Sequence, residues 1–141
     1  MKSTTQILPG IKAVGWVDCR HLPKRVDLHG ICRSPVAVLT TVNPVEFFDE
    51  PECRCKTEKE GGCSTDTATL KFHCAALLPI HRRLGFVVTD VNGKSYLIGG
   101  CEPPYPSVKV EHFCGTPDGD GAGYYYEITH NAIKSMVECV I

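Results

Sequence analysis

Gly85-Phe86-Val87-Val88-Thr89-Asp90-Val91-Asn92-Gly93-Lys94-Ser95-Tyr96-Leu97-Ile98-Gly99 decides how the chain is read, because two apolar runs meet there at Asn92-Gly93. Asn-Gly accepts the positive φ angles of a type I′ turn, whose twist matches that of the flanking strands, so the stretch predicts a tight β-hairpin. A two-residue turn pairs Val91 with Lys94, Thr89 with Tyr96, Val88 with Leu97 and Val87 with Ile98. Phe86, Val88 and Leu97 then line one side, and Val87, Ile98 and the Tyr96 ring the other. Both sides are partly apolar, so the hairpin is expected to be covered twice, by its own core and by a second body such as another subunit.

The alternation continues on either side. In Thr67 to Cys74, Ala68, Leu70, Phe72 and Cys74 fall on one face and Thr67, Thr69, Lys71 and His73 on the other, the pattern of a half-buried strand. Pro103 to Pro106 interrupts the ladder, since proline lacks the donor N–H. Strands are then expected at Ser107 to Cys114, Tyr124 to Thr129 and Ser135 to Ile141, with the Gly-rich run 115–123 as a connection. A short helical turn around His130 to Ser135 competes with strand there. Nearer the N-terminus, Ile7 to Val17 alternates loosely, and Pro35 to Val42 is a β-branched strand that Asn43-Pro44 terminates. The charged, Gly-rich segment 49–65 reads as an exposed polar, Cys-rich loop or extended arm. The fold class is therefore all-β: one domain over residues 1–141, an antiparallel sandwich or barrel of roughly seven or eight strands with little helix.

Composition narrows the function. With 15 Lys+Arg against 16 Asp+Glu the chain has no basic bias toward phosphate backbones, so no nucleic-acid partner is expected. No segment approaches the run of about 18 apolar residues of a spanning helix, and the first residues lack the apolar core of a signal peptide. A soluble, cytoplasmic protein with no membrane partner is the expectation.

Nine cysteines, at 19, 32, 53, 55, 63, 74, 101, 114 and 139, cannot all pair within one chain. In a reducing compartment they bind metal or are buried as small hydrophobes. Strand alternation places Cys74, Cys114 and Cys139 in the second group. Cys53, Cys55 and Cys63, closed by Cys74 or His73, offer the one candidate zinc set, although the single residue between Cys53 and Cys55 departs from the usual Cys-x₂₋₄-Cys knuckle. Asp118 and Asp120 start like a calcium loop but lack its remaining ligands. Histidines 21, 29, 73, 81, 112 and 130 supply candidate bases for a Cys–His enzyme, yet no Gly-x-Ser-x-Gly, phosphate loop or His-Glu-x-x-His is present. No catalytic, cofactor or metal residue is assigned. His81-Arg82-Arg83 is read as a solvated turn or a contact for an acidic partner. Tyr124-Tyr125-Tyr126 places rings on both faces of a strand, predicting a core on one side and an exposed aromatic patch, suited to protein contact, on the other.

Gly85 to Asp90, Tyr96 to Gly99, Pro103 to Pro106, Gly115 to Asp120 and Tyr126 to Thr129 together resemble the C-terminal half of small β-rich proteins encoded in prophage structural-gene clusters of gut bacteria. The resemblance covers about half of the chain and consists of strand and turn signatures; the segment Cys53 to Cys63 has no counterpart in it. It implies a virion component, from the head-to-tail junction or the tail, that packs against copies of itself or neighbouring subunits. The reading is then a non-enzymatic assembly protein, a possible homo-oligomer carried into a phage particle. A zinc-stabilised binding module and a small Cys/His enzyme are the alternatives.

Overall fold

The computed structural model describes residues 10–38, 41–102, 104–114 and 123–140, without the side chains of Asp27, Asp49, Glu50 and Cys63. Its strands are β1 (Ile11–Asp18), β2 (Val36–Ala37), β3 (Asn43–Val45), β4 (Phe47–Glu60), β5 (Cys63–Cys74), β6 (Leu84–Asp90), β7 (Ser95–Ile98), β8 (Ser107–Phe113), β9 (Gly123–Ala132) and β10 (Val137–Val140). One 3₁₀ turn (Cys19–His21) and one six-residue helix, α1 (Val26–Ile31), lie between β1 and β2. The strands form a six-stranded sheet, in the order β2-β10-β7-β6-β1-β3, and a four-stranded sheet, in the order β4-β5-β9-β8. The result is an all-β sandwich whose sheets have open edges, not a closed barrel. The ten strands among the described residues exceed the seven or eight expected, because β2 and β3 are very short and β4 occupies the segment read as a loop or arm.

The inter-sheet core follows the alternation read in Thr67 to Cys74. Ala68, Leu70, Phe72 and Cys74 from β5 meet Tyr126 and Ile128 from β9 on one side, and Val14, Phe86, Val88 and Ile98 on the other. The Phe72 and Phe86 rings, 6.3 Å apart, bridge the two sheets.

The central hairpin forms with its register moved by one residue. Phe86 pairs with Ile98, Val87 with Leu97, Val88 with Tyr96 and Thr89 with Ser95. Asp90 is the cause: its Oδ1 accepts the N–H groups of Asn92, at 2.9 Å, and Lys94, at 3.0 Å. Its backbone carbonyl accepts from Gly93, and its N–H donates to Lys94. The loop therefore holds three residues, Val91 to Gly93, with Gly93 at φ +88° in the left-handed position that such loops require. Moving the register regroups the faces, so that Phe86, Val88 and Ile98 enter the inter-sheet core while Val87 and Leu97 point away from it.

That second face is covered by the chain itself rather than by another subunit. Val87 and Leu97 pack with Val17, Val137 and Cys139, under Cys19, Leu22, Val26, Val36 and Val38 from the segment containing α1. Burying Val87 and Leu97 contributes about 1.5–3 kcal/mol each. The cover sits close: a Cβ on Gly85 would lie 2.6 Å from Leu22 Cδ1 and 3.3 Å from the Ile98 carbonyl.

Other expectations change for local reasons. Pro35 to Val42 does not form one strand. Val36 and Ala37 pair parallel with β10, whereas Asn43 to Val45 joins β1 as an edge, where Pro44 needs no N–H for the ladder. The turn proposed at His130 to Ser135 is β9 through Ala132 followed by a bend, and the helix lies at α1 instead. The strand read from Ile7 is described from Ile11, and residues 1–9 lie outside the described residues. Segment 49–65 is a β-ribbon in which Glu60 pairs with Cys63 across Gly61-Gly62, at φ +59° and +110°. Because β9 ends opposite Asp66, the pairs from Glu58–Thr65 to Glu60–Cys63 extend beyond the sheet as a two-stranded arm.

Candidate functional site

The thiols are placed by the pleat. Cys53 and Cys55, opposite Leu70 and Ala68, face the core side of β4, and Cys53 Sγ lies 3.7 Å from Met136 Sδ. Burial pushes the Cys53 thiol up to about 11, with the neighbouring Cys55 adding to it. Burial also raises Cys55, helped by Asp66. The register separates the strand positions of these cysteines from those of their proposed partners. Cys63 is opposite Glu60, five residues along β4 from Cys55, a span of roughly 16 Å. Cys74 lies at the other end, opposite Phe47, four residues beyond Leu70 or about 13 Å. Tetrahedral zinc requires thiolates about 4 Å from one another. Among the described residues no three His, Cys, Asp or Glu side chains converge to hold a metal ion.

Of the cysteines read as buried, Cys74 and Cys139 are, and Cys114 is exposed. Cys114 follows the last paired residue of β8, Phe113, so the pleat no longer turns it inward. Cys19, outside the strand pattern, is buried instead. Asp118 and Asp120 lie outside the described residues.

His130 and His112 are engaged as structural groups. His130 is buried, with Nδ1 3.1 Å from the Ser135 carbonyl and Nε2 3.0 Å from that of Pro104. It therefore ties the Pro104 loop to the end of β9. A cleft of about 200 Å³ beside it, lined by Arg25, Gly100 and Lys134 among others, meets a ring whose nitrogens already face carbonyls. His112 stacks on Tyr124 at 4.7 Å. The basic step folds back on its own chain: Arg83 lies 4.4 Å over the Tyr105 ring and Arg82 is 3.9 Å from Asp18.

The tyrosine run divides as its alternation predicts. Tyr126 is fully buried, Tyr124 and Tyr126 share the inner face, and Tyr125 turns to the outer face of the four-stranded sheet. There it meets three rings that the sequence did not connect. His73 on β5 is the hub, with centroids 4.9 Å from Tyr125 on β9, 5.8 Å from Phe48 on β4 and 5.9 Å from Phe113 on β8. Each strand of the sheet thus contributes one ring, and all four are half-buried. Gly123 makes room for the group, since a Cβ there would meet Phe48 Cζ at 3.1 Å and the Cys74 carbonyl at 3.0 Å. The rest of this face is polar, with Lys71 and Lys109 both opposite Glu127. Outward parity was legible for His73, whereas Phe48 comes to lie opposite His73 through the two-residue register shift between Phe48 and Glu52.

Compared with family models, curated proteins and solved structures, the chain has no match. No helix among the described residues is long and apolar enough to cross a membrane.

Proposed function

We propose that this chain is a non-enzymatic assembly protein that acts through protein–protein contact, with the outer face of the four-stranded sheet as its contact surface. The observation that carries the reading is the Phe48–His73–Tyr125–Phe113 group, four rings from four strands gathered on the face turned away from the core. Aromatic rings supply large contact area at low conformational cost, and clustered on an outer face they suit a binding surface. Thiol chemistry supports the same side of the choice. Cys19, Cys53 and Cys139, each pushed up to about 11, stay protonated at neutral pH and are poor nucleophiles. The partner is a copy of the chain or a neighbouring subunit. Incorporation of a cytoplasmic protein into a phage particle, at the head-to-tail junction or tail, rests on the resemblance of the C-terminal half.

Light scattering coupled to size exclusion, in reducing buffer over a concentration series, tests the reading on the full chain and on a Tyr125→Ser/Phe113→Ser variant. The wild type should form a defined multimer, and the variant, with an unchanged far-UV spectrum, should stop at a smaller species. Equal masses for the two proteins would count against it.

A further inference from the structure

Strand β4 is an edge of the four-stranded sheet, and from Arg54 to Glu60 its outer side is exposed apart from the half-buried Cys55. Which of its amides are free follows from the turn. A two-residue hairpin loop makes Glu60 and Cys63 a hydrogen-bonded pair, and such pairs alternate with non-bonded ones along an antiparallel ladder. Residues 54, 56, 58 and 60 thus direct their N–H and C=O groups to β5, and residues 53, 55, 57 and 59 direct theirs to the open side. Pro51, with no N–H to offer, ends this run of donors.

The outward side chains carry a pattern of their own: Arg54 and Lys56 positive, then Glu58 and Glu60 negative. Among the described residues of one chain they form only exposed ion pairs along the strand, Arg54 with Glu52 and Lys56 with Glu58. Such pairs are worth little.

We propose that β4 pairs antiparallel with β4 of a second copy of this chain, about a two-fold axis at Thr57, joining the two four-stranded sheets into one of eight strands. In this register Lys56 faces Glu58 of the second copy and Arg54 faces Glu60, each pair occurring twice. Thr57 faces itself and Cys55 faces Lys59, so the residues that hydrogen-bond across the axis are those with free amides. The neighbouring registers of the same parity fail on charge. A two-fold axis at Cys55 sets Arg54 against Lys56 and Glu52 against Glu58, and one at Lys59 sets Glu58 against Glu60. Hydrogen-bonding parity and charge therefore select the same alignment. Lysines on an edge ordinarily discourage pairing, and here each meets a glutamate. The axis runs perpendicular to the sheet, so both aromatic groups stay on one face of the joined sheet. The proposal deepens the assembly reading and rests on it.

The test is sedimentation equilibrium on the full chain, using wild type, Lys56→Glu, Glu58→Lys, an equimolar mixture of the two variants, and the double variant. Each single variant sets two like-charge pairs across the axis and should raise the dissociation constant about tenfold or more. The mixture and the double variant should recover wild-type association. Recovery in the mixture is the decisive outcome, because repair of the ion pair within one strand cannot produce it. Single variants that associate like wild type, or a mixture that does not recover, would overturn the edge pairing. If association is then still lost in Tyr125→Ser/Phe113→Ser, the edge proposal alone has failed; a wild type that stays monomeric removes both.

Discussion

The hydroxyl of Tyr126 accepts the backbone N–H of Leu78 at 2.8 Å and donates to the carbonyl of Ala76 at 3.0 Å, fastening the 75–83 connection to the centre of β9. The ring itself is fully buried and stacks on Phe72 at 5.2 Å. One side chain therefore fills the core and satisfies two backbone groups of a connection that carries little regular structure.

Tyr126→Phe keeps the ring and removes both hydrogen bonds. The Leu78 amide is left without a partner in a buried position, which costs about 1–3 kcal/mol. Thermal unfolding of the variant should shift down by several degrees. Native-state hydrogen exchange should place the largest loss of protection at Leu78. A Tm equal to that of wild type would mean that water replaces the hydroxyl.

Asp90 sets the register of the central hairpin, so Asp90→Ala should cost about 1 kcal/mol through loss of its two carboxylate-to-amide bonds. Asp90→Asn keeps an acceptor oxygen and should recover most of that loss. Urea denaturation of the three proteins checks the order. If alanine and asparagine behave alike, the carboxylate is not what holds the three-residue loop.

How far such features were legible depends on what carried them. The alternation of Ala68, Leu70, Phe72 and Cys74 reports burial directly, since successive side chains of a strand face opposite ways. The hairpin at Asn92-Gly93 was legible as a hairpin, but its register was not, because an Asx turn from Asp90 competes with the two-residue turn and a shift of one residue moves Val87 from Ile98 to Leu97 and Val88 from Leu97 to Tyr96. Helix α1 gave little signal: it has six residues and starts from Arg25 in the left-handed region with no side-chain cap. The ribbon was hidden by its charge, although Cys53, Cys55 and Thr57 alternate with Arg54, Lys56 and Glu58, and Gly61-Gly62 is a hairpin turn. In the aromatic group, Tyr125 was legible from its run. Phe48, His73 and Phe113 are brought to it by pairing between strands distant in sequence.

Thiol labelling separates the cysteine environments. In native protein, iodoacetamide should modify the exposed Cys32 and Cys114 first and leave the buried Cys19, Cys74 and Cys139 untouched until the chain unfolds. Mass spectrometry of proteolytic fragments gives the order site by site. A protected Cys114 would restore the inward orientation expected from its strand parity.

Alkaline pH should weaken the fold through these same buried thiols. Burial is the main cause raising Cys19 and Cys139 from 9.0 to about 11, with Asp18 and Glu138 respectively adding to it; at Cys19 a hydrogen bond from the Gly100 backbone opposes part of the rise. A thiol raised in the fold stays neutral at pH values where the unfolded chain already ionises it, so ionisation favours the unfolded state. The stabilisation is intact below pH 9, falls as pH rises from 9 toward 11, and is gone above that. By pH 10 each of the two thiols should have lost about 1 kcal/mol. Tyr126, raised chiefly by burial, acts in the same direction at the upper end of the range. Urea unfolding in reducing buffer at pH 8 and pH 10 measures the loss, and Cys139→Ala isolates one contribution. That variant should be less stable than wild type at pH 8 yet lose about 1 kcal/mol less on going to pH 10. If its stability falls in parallel with the wild type, ionisation of Cys139 plays no part in the alkaline transition.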